Sequence, residues 1–327
     1  MEERPKVSVI IPTYNRKGLV PEAIDSVIAQ TYKDFEVIVI DDGSTDGTGK
    51  MLEEKYGDKI GYFYKENGGC ASARNYGIRM ARGEYISFLD SDDWYTPEKL
   101  EDQVRILDNN PQYGFVSSDI VYLDGGQKYL IKVSRPDKNG KVAYPLFLTT
   151  YFCLPASLFR RECFDKAGYF DESMRYNEDT DLLLRMAVHC KAILSQRPTY
   201  LIAVHKDRKS SDRINLLNAV YESSVKILAL SPDLKLQLGD RADSRLAQIK
   251  LDIAMEHISR GNFTEALREL HASMEMYKIF RVRIYQRLLS GRLLRKSVVT
   301  GAILFIERAL NALKSYYFQY AGRILLF

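Results

Sequence analysis

As far as Leu89, short apolar runs alternate with stretches of helical periodicity, and that alternation leaves few folds open. Val7-Ser8-Val9-Ile10-Ile11 (closed by Pro12), Phe35 to Ile40, Ile60 to Tyr64 and Glu84 to Leu89 are too short for helices and rich in β-branched and aromatic side chains. Between the first two, Val20, Ala23, Ile24, Val27 and Ile28 recur at helical spacing, with Pro21 near the start, where a missing N–H costs little. Met51 to Tyr56 fits a short helix, and Asn67-Gly68-Gly69 makes a turn before a helix over Ala71 to Ala81. Strands and helices alternating at this spacing predict an α/β fold with a mostly parallel, doubly wound sheet flanked by helices.

Two of the strands end abruptly in carboxylates. Phe35 to Ile40 runs into Asp41-Asp42-Gly43-Ser44-Thr45-Asp46, and Tyr85 to Leu89 runs into Asp90-Ser91-Asp92-Asp93. In an open α/β sheet, ligands bind outside the carboxyl ends of the strands, so both clusters can face one pocket. Neighbouring carboxylates raise each other's pKa unless a cation neutralises them. Ligands that are all oxygen suit Mg²⁺ or Mn²⁺, usually shared with a substrate phosphate. The pattern predicts a metal-dependent enzyme acting on a nucleotide-activated substrate.

Further along, Thr96-Pro97-Glu98 reads as a helix start with Thr96 as N-cap. Phe115 to Asp119 and Tyr129 to Val133 read as strands, Arg135 to Lys141 as a loop able to move, Asp179 to Cys190 as a helix, and Thr199 to Val204 as a last strand. Lys206 to Arg213 holds no apolar residue, and beyond it only helical patterns follow. The expected boundary lies near Asn215, with an α/β domain over 1–214 and a smaller, all-helical region over 215–327. Within the latter, Ala254 to Met276 reads as a helical hairpin.

The chain has 327 residues, enough for a large core and an accessory domain, and a net charge of +4. That charge is uneven. Ile279 to Phe327 carries nine Lys/Arg against one Glu, a balance of +8, which leaves −4 for the rest. In this tail Arg281, Arg283, Arg287, Arg292, Arg295 and Lys296 lie among Ile284, Leu288, Leu289, Leu293 and Leu294. Such a basic, amphipathic segment suits an anionic membrane surface, and the same apolar face can instead be buried in a homo-oligomer. Its longest charge-free run, Ser297 to Ile306, is about half of what spans a bilayer. Four cysteines without CxxC spacing argue against zinc or a disulfide framework, and the polar start argues against a signal peptide. A cytoplasmic protein, peripheral on the inner face of the cell membrane, is expected, with no nucleic-acid partner.

Five segments in order carry a resemblance: Val7-Ser8-Val9-Ile10-Ile11-Pro12-Thr13-Tyr14-Asn15, Asp41-Asp42-Gly43-Ser44-Thr45-Asp46, Ala73-Arg74-Asn75, Asp90-Ser91-Asp92-Asp93 and Glu178-Asp179. Together they resemble the signature of family 2 glycosyltransferases with the GT-A fold, over about residues 5 to 210. The resemblance implies an inverting enzyme that moves a sugar from a UDP-sugar to a glycan or lipid-linked acceptor with Mn²⁺ or Mg²⁺. It implies donor contacts at Pro12, Thr13, Tyr14, Asp42, Arg74, Asp90, Ser91 and Asp92, with Asp42 on the uracil ring. It places the metal at Asp92 and Asp90 with His205 as a further contact, and catalysis at Asp179 as general base beside Glu178. Trp94 can face a sugar or belong to the core. A nucleotidyltransferase would carry a Gly-rich, basic loop where Pro12-Thr13-Tyr14-Asn15 stands. A non-catalytic nucleotide-binding scaffold with a helical interaction module is the remaining alternative, although none of the expected carboxylates is missing.

Overall fold

The computed structural model describes residues 4–124, 126–149, 152–203 and 212–276. In chain order the elements are β1 (Val7–Thr13), α1 (Val20–Ile28), β2 (Phe35–Asp41), α2 (Thr48–Tyr56), β3 (Gly61–Tyr64), α3 (Cys70–Met80), β4 (Tyr85–Phe88), β5 (Asp93–Tyr95), α4 (Lys99–Asp108), β6 (Phe115–Ser117), β7 (Ile120–Asp124), β8 (Gln127–Ile131), α5 (Ala143–Thr149), β9 (Leu158–Arg160), α6 (Glu162–Ala167), α7 (Glu178–His189), β10 (Ala192–Leu194), β11 (Tyr200–Ala203), α8 (Arg213–Leu230), α9 (Pro232–Leu238), α10 (Asp240–Ser259) and α11 (Phe263–Met276). The chain divides into two compact units. One comprises Met1–Ser211 with Lys226–Leu234, the other Asp212–Val225 with the chain from Lys235 on.

The first unit is built on a seven-stranded sheet of order β10-β6-β9-β4-β1-β2-β3. β1 pairs in parallel with β2 and β4, β2 with β3, and β10 with β6, so the sheet is mostly parallel as the alternation predicts. β9 is the exception, lying antiparallel between β4 and β6. A second sheet of order β5-β11-β7-β8 was not expected.

Both faces of the central strands are buried, which is why they read as unbroken apolar runs rather than as alternation. Val7, Val9 and Ile11 of β1 and Val37 and Val39 of β2 form one core with Val20, Ile24 and Val27 of α1. Ile10, Ile38 and Ile40 face the other way and are equally buried. Full burial of such a side chain contributes about 1.5–3 kcal/mol.

Several expected boundaries move. β1 continues through Pro12 and Thr13, which pair with Ile40 and Asp41, so these two residues end a strand rather than start a loop. Proline is tolerated there because pairing with β4 stops at Ile10, and a strand N–H on that side has no partner to lose. α4 starts at Lys99 with Glu98 as N-cap, and Thr96 caps nothing with its side chain. Its carbonyl instead accepts from Lys99 N and from Gln30 Nε2. Arg135 to Lys141 is pinned rather than loose, since Asp137 Oδ1 accepts from the backbone N–H of Asn139 and of Lys141, both at 2.8 Å.

In the second unit α10 and α11 form the expected hairpin, joined by Arg260–Asn262, with Ala254, Ile258, Ala266 and Leu270 buried. Among the described residues no helix is long and apolar enough to cross a membrane. His205 and the basic tail lie outside the described residues.

Candidate active site

The carboxyl ends of β1, β2 and β4 bring the nominated residues of the first half together. At the end of β1, Thr13 is buried and its Oγ1 has no hydrogen-bond partner, while Tyr14 is 49% exposed. A buried hydroxyl without a partner is costly, so it marks a place where a ligand can contribute one. Asn15 adopts a left-handed backbone, φ 50°, that turns the chain toward β2. Its N–H donates to Ser44 Oγ, and its Oδ1 accepts from Thr45 N, both at 2.8 Å. The loops after β1 and β2 are thereby tied into one.

Asp41 and Asp42 face different partners. Asp41 accepts from Ser44 N at 2.8 Å and from the Tyr62 hydroxyl at 2.9 Å, which makes it a structural turn residue. Asp42 accepts from Lys65 Nζ at 2.6 Å, Gly68 N at 2.9 Å and Gly69 N at 2.8 Å. Gly43 must be glycine here: its φ is +87°, and a Cβ would stand 2.9 Å from Asn67 N.

Arg74, on the first turns of α3, is 5% exposed and reaches across the site. It donates from Nη2 to Asp90 Oδ1 and from Nη1 to Glu178 Oε1, each at 2.9 Å. Its Nε is buried without a partner. The guanidinium fork is the group that can hold two carboxylates in a fixed relation.

Within the second acidic cluster the four residues have different surroundings. Asp90 also lies 3.5 Å from the Tyr200 hydroxyl, and Asp93, buried, accepts a short hydrogen bond from the same hydroxyl. Burial, with Asp90 and Asp93 alongside, pushes the Tyr200 hydroxyl well above the usual tyrosine range, so it stays a donor. Asp92 stands 3.8 Å from Arg16 Nη2, and Ser91 is buried. Trp94 is half-buried on β5, opposite Leu201. Among the described residues no three His, Cys, Asp or Glu side chains form a ready-made metal cage. That fits Mg²⁺ or Mn²⁺, which one or two carboxylates hold together with a substrate's phosphates.

Glu178 and Asp179 open α7, preceded by Asn177 at φ 62°. The Asp179 carboxylate accepts from Thr180 N at 2.7 Å. Burial pushes its carboxyl up to about 6, Glu178 adds to the rise, and Arg74 opposes it. A carboxylate that titrates there takes up a proton more readily than an ordinary aspartate. Lys65, Arg16, Asn15 and Tyr200 were not foreseen. Their partners lie 23 to 107 positions away along the chain, apart from short local patterns that any surface residue shares.

Comparison with known proteins gives the class. The structure of Staphylococcus aureus TarS 1-349 in complex with UDP-GlcNAc superposes with a TM-score of 0.59 at 22% identity, covering 87% of this chain and 86% of that one. A mannosyltransferase from Pyrobaculum calidifontis, solved with GDP-Man and Mn²⁺, gives 0.55 at 22% identity, covering 88% and 85%. The fold is therefore that of the GT-A glycosyltransferases.

The glycosyl transferase family 2 model matches residues 8–168. An uncharacterised glycosyltransferase of Rickettsia typhi is 38% identical over 223 residues, 65% of this chain and 68% of that protein. One from Rickettsia prowazekii is 42% identical over 183 residues, 54% of this chain and 57% of that protein. The chain belongs to glycosyl transferase family 2. It spans only part of these relatives, and between 27% and 32% of three longer ones.

Proposed function

We propose that the chain transfers a sugar from a UDP-sugar to a hydroxyl of a glycan or lipid-linked acceptor, with inversion at the anomeric carbon. The observation that carries this reading is the Arg74 bridge between Asp90 and Glu178, which ties the donor side of the site to Asp179, whose carboxyl is raised to about 6. The neighbours solved with UDP-GlcNAc and with GDP-Man and Mn²⁺ support a sugar-nucleotide donor.

In this reading Pro12, Thr13, Tyr14 and Asp42 line the base and ribose, and Thr13 Oγ1 gains the partner it lacks. Arg74, Asp90 and Ser91 lie along the diphosphate. Asp92 and Asp90 would hold Mn²⁺ or Mg²⁺, with His205 as a further contact. The cation, when bound, stabilises the charge that builds on the departing nucleotide. Asp179 takes the acceptor hydroxyl's proton as attack proceeds, and Glu178 keeps Arg74 in place. Inversion follows from a single displacement on the face opposite the leaving group.

The test is a panel of UDP-sugars with simple glycan acceptors, read as UDP release and as product configuration by NMR. A β product from an α-linked donor supports the reading, and a retained configuration overturns it. The reading extends to location: the basic tail is proposed to dock on anionic lipid, bringing a lipid-linked acceptor to the site. Full-length protein pelleting with anionic vesicles at low salt, but not with neutral ones, would support this. Equal behaviour with both would leave the tail as a self-assembly element.

A further inference from the structure

The Asp42–Lys65 pair has a chemistry that the donor site uses only in part. Asp42 Oδ1 accepts from Lys65 Nζ and Gly68 N, whereas Oδ2 accepts from Gly69 N alone. Lys65 Nζ donates to Asp42 and to the Glu66 carbonyl, and an ammonium has three protons to give. One acceptor lone pair and one donor proton are thus left side by side, on a pair 2.6 Å apart. Both side chains are well shielded, at 16% and 6% exposure, where hydrogen bonds discriminate strongly.

The loop is built to keep them there. Gly68 lets the backbone close over the pair, since a Cβ at that position would meet Lys65 Nζ at 2.8 Å. Gly69, in a left-handed conformation at φ +88°, turns its N–H onto Asp42 and then starts α3. Asp42 itself is fixed by its N–H, which donates to Thr13 O at 2.9 Å, so the pair sits beside the unpartnered Thr13 hydroxyl.

We propose that Lys65 is a specificity-determining residue, which with Asp42 reads the Watson–Crick edge of the donor's base. An acceptor beside a donor complements a ring N–H next to a carbonyl. Uracil presents that pair at N3–H and O4, and guanine at N1–H and O6. Cytosine and adenine present the reverse, a ring nitrogen lone pair beside an amino group. Against them the carboxylate meets a lone pair and the ammonium meets N–H protons. A site built this way rejects the mismatched edge chiefly through the buried groups that it leaves unpaired.

The inference rests on the reading that this site takes a nucleotide, but not on which of the two matching bases it takes. The test is calorimetry with UDP, CDP, GDP and ADP in one Mn²⁺-containing buffer, for wild type, Lys65→Met and Lys65→Arg. Wild type should bind UDP more tightly than CDP. Lys65→Met should lose about ten- to hundredfold in UDP affinity with little change for CDP, so the ratio collapses. Lys65→Arg, which keeps a donor, should retain the preference. Equal losses for UDP and CDP in Lys65→Met would show that Lys65 only fastens its loop, and would overturn the proposal. A wild type that prefers GDP to UDP would overturn the uracil reading alone, and the GDP-to-ADP ratio then serves as the same test. Binding of none of the four would overturn both.

Discussion

The Arg74 guanidinium lies between the carboxylates of Asp90 and Glu178, 2.9 Å from each, joining the residue that follows β4 to the one that opens α7. The two acids are 88 positions apart in sequence, and neither position is fixed by its own element alone. A single buried cation sets the distance between the donor side of the site and the catalytic side.

Replacing Arg74 with Lys keeps the charge but not the fork, so one of the two carboxylates loses its partner. Stability should fall by about 1–3 kcal/mol, measured by urea unfolding, with a loss of turnover larger than that fall explains. An Arg74→Lys protein as stable and active as wild type would mean that the bridge positions nothing.

The raised carboxyl of Asp179 gives a pH dependence with a definite sign. Only the deprotonated form accepts a proton, so activity is present above about pH 6 and lost below it. Plotted as a logarithm, kcat/KM should rise with unit slope to about pH 6 and then level off. Asp179→Asn should lower kcat by about 10²–10⁴ with UDP affinity kept. Full turnover in that variant, or loss of UDP binding, would remove Asp179 from the role of base.

Lys99 provides a test of the core rather than of the chemistry. It is fully buried, donating to Ser87 Oγ at 3.1 Å and Gln103 Oε1 at 2.7 Å, and burial lowers its pKa to about 7. The unfolded chain binds this proton up to about pH 10, whereas the folded one releases it near 7. Where the unfolded state binds more protons, stability rises with pH. Wild type should therefore gain stability between about pH 7 and 10 relative to Lys99→Met, followed by denaturant melts at both ends of that window. Parallel curves for the two proteins would show that Lys99 stays charged in the core.

What the sequence made legible follows from length and periodicity. β1 and β2 are seven residues each and buried on both faces, so their apolar runs stand out, and the acids that end them are conspicuous for the same reason. β6, β9 and β10 have three residues each, too few to show a period, so the antiparallel insertion of β9 was invisible. The second sheet escaped notice because β5 lies within the Asp93-Trp94-Tyr95 stretch, read only as the end of an acidic cluster. Tyr200 reads as one more strand residue, and only the folded chain brings its hydroxyl to Asp93. Lys99 sits at the head of a helix, where a charged residue is ordinarily solvated, and nothing local signals its burial.

The account's central claim is that the nucleotide is held through a divalent cation at Asp92. Calorimetry of UDP with wild type and Asp92→Ala, each with Mn²⁺ and with EDTA, tests it most directly. The account predicts that EDTA weakens UDP binding to wild type at least tenfold, about 1.4 kcal/mol, and that Asp92→Ala binds at that weaker level whether Mn²⁺ is present or not. Equal UDP affinity for wild type with and without Mn²⁺ would contradict it.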